Sequence, residues 1–89
     1  EVELALEEHK NVKMAAVISV PDLTFQEVGI AYVMGTEKDI PKPDELRAFV
    51  AQRLANYKIP KQILLLEELP LLDIGKVDKK ALRAFHDSN

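Results

Sequence analysis

Gly75 and Lys76 are the adjacent residues of this chain best suited to chemistry. Glycine reaches backbone angles closed to other residues, so Gly75 can tighten a loop and hold Lys76 on it rather than along a helix face. A lysine of ordinary pKa, near ~10.4, is charged at neutral pH. One cation presented on a tight loop suits an anionic ligand. Pro70 fixes φ and lacks a backbone donor, and it reads as the stop of the apolar run before it. An ordinary solvated lysine is the competing reading of Lys76, and residue types alone leave both open.

Other constellations are weaker. A phosphate-binding loop needs an earlier glycine and a hydroxyl after the lysine; here Leu71 leads the window and Val77 follows. Ser19 falls in a strand and Ser88 at the chain end, so no Ser/His/acid arrangement forms. The acidic pairs Glu7-Glu8 and Glu67-Glu68 read as solvated faces. His9 reads as a surface or boundary histidine near a helix end, and His86 as one at a fraying end. Neither sits in a cluster with metal-ligand spacing, so no metal site is expected. Lys76, Lys79, Lys80 and Arg83 form a basic group without interleaved aromatic residues, a poor match for nucleic acid.

The elements that must position Lys76 follow from periodicity. Residues 1–10 read as a helix, with Val2, Ala5, Leu6 and His9 on one face and Glu1 and Glu3 at the positive end of its dipole. Residues 12–20 read as a strand stopped by Pro21-Asp22; both faces are apolar or small, which predicts an inner strand. Residues 27–34 read as a second strand, with Val28, Ile30, Tyr32 and Met34 on one face. Gly29, Ala31 and Val33 lie on the other, small enough for a helix to approach. The short connection suits an antiparallel pair.

After a charged loop over 37–42, Asp44 is the expected cap of a helix running to about Tyr57. Its stripe is Leu46, Phe49, Val50, Leu54 and Tyr57, with Arg47, Gln52 and Arg53 in water. Residues 62–67 read as a third strand, and the helix-bearing connection before it permits a parallel crossover. Asp78 then caps a last helix over 79–86, with Leu82 and Phe85 facing in. The expected fold is α+β, a small three-stranded sheet with flanking helices in the order α-β-β-α-β-α.

Bulk properties bound the rest. The chain has 89 residues, enough for a single small domain. A 47% hydrophobic and 30% charged composition is that of a globular protein. The net charge of −3 argues against nucleic acid or an anionic membrane as main partner. The absence of cysteine fits a reducing, cytoplasmic setting. The apolar runs over 14–20 and 63–66 are too short for a transmembrane segment, and no signal peptide is visible. The opening Glu1-Val2-Glu3-Leu4 reads as the start of a fragment from a longer protein.

The chain resembles the carboxy-terminal lid domain of the adenylate-forming enzymes, most closely that of acyl-CoA synthetases. Glu1-Val2-Glu3 is similar to the Glu-Ile-Glu helix start after the family's hinge. The run ending Ser19-Val20-Pro21-Asp22 is similar to the "AAVxGVPD" strand, and residues 27–34 to the strand after it. Glu45-Leu46-Arg47 and Leu54-Ala55-Asn56-Tyr57-Lys58-Ile59-Pro60 resemble the "ELxxF…LxxYKxP" helix and its exit. Glu68-Leu69-Pro70 through Gly75-Lys76-Val77-Asp78-Lys79 resembles the closing "ELPxTxxGKxxRxxLR" motif. Two positions depart: Leu72 stands where the family has Thr or Ser to brace the loop, and Gln26 stands where it has Gly.

The resemblance implies a mobile lid over a large amino-terminal domain of the same protein. That parent would be an AMP-forming ligase using ATP, magnesium and CoA, none bound by this fragment alone, and the fragment alone would be inactive. Lys76 would be the adenylation-step lysine, contacting the substrate carboxylate and the α-phosphate or ribose region, with Gly75 and Pro70 supporting its loop. The lid would then swing so that a thiol attacks the acyl-adenylate, either of CoA or, as in peptide-synthetase and aryl-acid enzymes, of a carrier protein. The family also implies Lys76 as a site of inactivating acetylation, which removes the charge. A non-enzymatic α+β interaction module, presenting the basic end helix, is the alternative of a different class.

Overall fold

The computed structural model describes residues 1–24, 26–36 and 39–88. The element order is α1 (Val2–Glu7), β1 (Val12–Asp22), β2 (Gln26–Gly35), α2 (Pro43–Ala51), β3 (Gln62–Leu66) and α3 (Lys79–Asp87). The sheet is three-stranded in the order β1-β2-β3. β1 pairs antiparallel with β2 and β2 pairs parallel with β3, so the expected α+β fold, hairpin and crossover are all present.

β2 is the central strand, and it alternates between two apolar faces. On one face Ala31 and Val33 join Ala5, Leu6, Val12, Ala15, Leu46, Val50 and Ile63 beneath α1 and α2. On the other Ile30 and Tyr32 join Ala16, Ile18, Val20, Leu69 and Leu82 beneath α3. Burial pushes the Tyr32 phenol above its usual range.

β1 is an edge strand, not the inner strand its composition predicts. Two apolar faces report helices above and below; they say nothing of neighbours within the sheet. The edge of β1 away from β2 is covered by α1.

Element ends differ from the periodic pattern in instructive ways. α1 stops at Glu7, because His9 turns inward: its ring is buried, Nδ1 accepts the Asn11 amide and Nε2 lies 2.9 Å from Glu45 Oε2. His9 also meets the Phe49 ring edge-on, so it is a core histidine rather than a surface one. α2 is capped by Lys42 with Pro43 in its first turn; Asp44 lies inside the helix, where its charge suits the dipole. α2 ends at Ala51 and a 3-10 turn over Asn56–Lys58 follows. Ile59 precedes Pro60 and is extended, as the proline ring requires. The early end leaves Tyr57 exposed, so it is not part of the core stripe. Arg47 is half-buried, donating to the carbonyls of Pro60 and Lys61, and thereby ties α2 to the start of β3. Of the charged loop over 37–42, Glu37 and Lys38 lie outside the described residues.

Candidate functional site

The Gly75-Lys76 loop is a miniature hairpin. Leu71 and Val77 form an antiparallel bridge. The Leu72 carbonyl accepts the Gly75 amide at 2.9 Å and the Leu72 amide donates to the Lys76 carbonyl at 2.7 Å. That pair of bonds, with Gly75 at φ +90°, is a three-residue turn closed by a glycine bulge. A residue with a Cβ is strained at such a φ, which is why glycine precedes the lysine. One turn further out, the Asp78 amide donates to the Pro70 carbonyl at 2.8 Å.

Pro70 therefore closes the base of the hairpin. It does not stop the strand, since β3 ends at Leu66. Leu72 braces the turn through both of its main-chain groups, so the loop is held without a hydroxyl side chain at that position. Asp78 is the cap foreseen for α3: its Oδ1 accepts the Ala81 amide at 3.0 Å. The hairpin thus hands directly into α3, whose Leu82 is fully buried. Phe85 is less enclosed than its pattern predicts, meeting Tyr32 edge-on while remaining partly exposed. His86 is half-buried rather than loose, with Nδ1 3.5 Å from the Asp87 carboxylate.

Lys76 is exposed at the far side of this turn. Among the described residues it has no ion-pair or hydrogen-bond partner for its ammonium, while Lys58, Lys61 and Lys79 each have one. It lines a groove of about 470 Å³ together with Glu3, Glu7, Met14, Leu72 and Lys79. The free cation is what an incoming anion needs; a lysine already paired must first give up its partner.

The two carboxylates of this groove were not apparent as functional from sequence. Glu3 Oε2 accepts the Val17 amide at 2.7 Å, and Lys79 Nζ lies 2.7 Å from the same oxygen. Glu7 Oε2 accepts the Ala15 amide at 3.2 Å. Glu3 and Glu7 sit one helical turn apart on α1 and satisfy the unpaired amides of β1's outer edge, which blunts an otherwise exposed strand edge. Glu7 is therefore not merely part of a solvated face. Burial raises the Glu3 carboxyl, but the Lys79 ammonium and the Val17 amide outweigh it and hold it below the usual carboxylate range. The signal available in sequence was the four-residue spacing of two acids on the helix that precedes an edge strand.

A second groove, of about 720 Å³, lies at the leading ends of β2 and β3 and is lined by Gly29, Arg47, Tyr57, Pro60 and Lys61 among others. It shares no lining residue with the Lys76 groove. Lys61 Nζ is held there by Asp22 at 2.6 Å. Among the described residues no group of three acidic, histidine or cysteine side chains is placed to hold a metal ion. Among them, too, no helix is long and apolar enough to cross a membrane.

The family model for the AMP-binding enzyme C-terminal domain matches residues 1–76, ending on Lys76 itself. The chain is 40% identical over 89 residues to the human mitochondrial malonate–CoA ligase, covering 99% of this chain and 16% of that protein. It is 43% identical over 82 residues to bacitracin synthase 3 of Bacillus licheniformis, covering 92% of this chain and 1% of that one. Among solved structures it superposes on the fatty acyl CoA synthetase of Mycobacterium tuberculosis with a TM-score of 0.89 and 28% identity, over 99% of this chain and 17% of that one. The chain thus spans about a sixth, or less, of the length of these relatives.

Proposed function

Since the chain belongs to the family of AMP-binding enzyme C-terminal domains, we propose that it is the carboxy-terminal lid of a larger AMP-forming ligase, residues 1–89 being one domain, and that Lys76 is its adenylation-step cation. The observation that carries this reading is the placement of Lys76, exposed and, among the described residues, unpaired, directly after a bulge glycine at φ +90° on a hairpin tied to α3. In the parent, a carboxylate oxygen of the acid attacks the α-phosphorus of ATP and the bond to pyrophosphate breaks. Charge builds on the phosphoryl oxygens at that moment, and a cation already free to approach stabilises it without first breaking a bond of its own. One such group is worth about 3–4 kcal/mol of barrier. Lys76 transfers no proton in this step. A thiol sulfur then attacks the acyl carbon, forming the thioester and releasing AMP.

ATP and the carboxylic acid are the substrates of this reaction, and the large amino-terminal domain is the partner that holds them. Lys76 fits a phosphate or carboxylate oxygen. Magnesium receives no ligand set from the described residues of this chain. CoA is the acceptor in the leading reading, and the fragment by itself is inactive. A second reading, with a carrier-protein thiol in place of CoA, is supported by an identity to bacitracin synthase 3 as high as that to the malonate–CoA ligase.

The test is Lys76→Ala in the full-length parent. Exchange of labelled pyrophosphate into ATP is measured with malonate, octanoate or 2,3-dihydroxybenzoate, whichever acid supports it. Exchange should fall ~10²–10³-fold, while thioester formation from supplied acyl-adenylate changes far less. Unchanged exchange removes Lys76 from the reaction. Supplying free CoA or a carrier protein as acceptor separates the two readings.

A further inference from the structure

The Lys76 groove holds two acids and two lysines, and among the described residues one of the lysines, Lys79, is paired and the other is not. Glu3 is the more enclosed acid: its side chain is 33% exposed and it faces inward over β1. Its Oε2 collects two donors, the Val17 amide and the Lys79 ammonium, both at 2.7 Å. Glu7 is exposed to water and serves the Ala15 amide alone. A partly buried carboxylate without a cation is costly, whereas an exposed one is not. If Lys79 were missing, Glu3 would take the nearest free cation, and Lys76 lines the same groove.

We infer that Lys79 is a positioning residue which acts by occupying Glu3, so that Lys76 stays unpaired and free to leave the groove for an anionic substrate. The local structure suits this division of labour. Lys79 opens α3, directly after the Asp78 cap, so its backbone is fixed by the helix and its side chain is committed to the groove. Lys76 follows the Gly75 bulge at the turn, and nothing among the described residues commits it. Two lysines three residues apart thus have opposite tasks. The inference rests on the reading of Lys76 as the adenylation cation for its catalytic consequence, but its charge consequence is measurable without it.

Both are measured on the full-length parent. Lys76 is labelled with a small acetylating reagent at mildly alkaline pH and the rate is followed by mass spectrometry. Lys79→Ala should slow labelling of Lys76 about threefold, the scale of a partly exposed ion pair, and Lys79→Arg should not. The double variant Glu3→Gln with Lys79→Ala should label at the unmodified rate, because no half-buried charge is left to capture Lys76. Pyrophosphate exchange should follow the same order: a loss of about 3–10-fold in Lys79→Ala and recovery in the double variant. A merely structural tie between α1 and α3 predicts the opposite, with the double variant no better than Lys79→Ala. Unchanged labelling in Lys79→Ala, or no recovery in the double variant, overturns the inference. Labelling that follows the predicted order while Lys76→Ala leaves exchange intact overturns the catalytic role of Lys76 instead.

Discussion

Replacing Gly75 by alanine isolates the contribution of one backbone angle to the site. A Cβ built on Gly75 meets nothing within 4 Å, so no steric clash confuses the result. The only penalty is conformational: φ is +90°, and an L-residue held there costs roughly 1–2 kcal/mol. That is comparable to the net worth of one hydrogen bond, about 0.5–1.5 kcal/mol. The turn has two such bonds around Leu72 and a third from Asp78 to Pro70. The strained variant therefore keeps its domain folded and opens the turn part of the time. A shift of 1–2 kcal/mol is a factor of about 5–30 in the closed-to-open ratio of the turn. Pyrophosphate exchange by the full-length Gly75→Ala protein should fall measurably and by no more than that factor, clearly less than for Lys76→Ala. Gly75→Asn should lose less, since asparagine tolerates the left-handed region. Denaturant unfolding should show a stability loss of no more than ~2 kcal/mol. Exchange in Gly75→Ala equal to the parent's would refute the claim that the bulge aims Lys76. Equal losses for alanine and asparagine would refute the backbone origin of the effect.

Gln26 is a non-glycine residue at positive φ, 68°. Gln26→Gly relieves roughly 1–2 kcal/mol of strain against about 0.5–1 kcal/mol of added unfolded-state freedom, so a net gain of ~0.5–1 kcal/mol should appear in chemical denaturation. His9→Ala removes the acceptor of the Asn11 amide and the Glu45 contact and leaves a cavity beside Phe49; unfolding free energy should drop by about 2–3 kcal/mol. The Glu3 carboxyl is held below its ordinary value of 4.5, so the folded state binds its proton less readily than the unfolded chain does. Its stabilising contribution is complete above that ordinary value and disappears as pH falls through the lower folded one. Acid unfolding profiles of Glu3→Gln should lack this component, and identical profiles would contradict the assignment.

Much of the fold was legible because it rests on local chemistry. The alternation of Val28, Ile30, Tyr32 and Met34 against Gly29, Ala31 and Val33 marks a strand with two covered faces, and both clusters are present. Asp78 announces α3 through an oxygen that reaches its own helix. What misled were cues with no local partner. Tyr57 continues the helical spacing, yet the turn before Pro60 takes it out of the stripe. His9 looks like a helix-end histidine, while its partner Glu45 is 36 residues away.

That a glycine able to take a positive φ precedes a lysine, and that a capped helix follows, can be read from the residue order, because these are properties of neighbouring residues. Which charges find partners depends on how the elements pack. Sequence places Lys76, Lys79, Lys80 and Arg83 in one basic group. The packing of α1 along the edge of β1 brings Glu3 to Lys79 and leaves Lys76, like Lys80 and Arg83, unpaired among the described residues. A free cation is a statement about where every nearby carboxylate has gone, and that is settled by contacts between residues far apart in the chain.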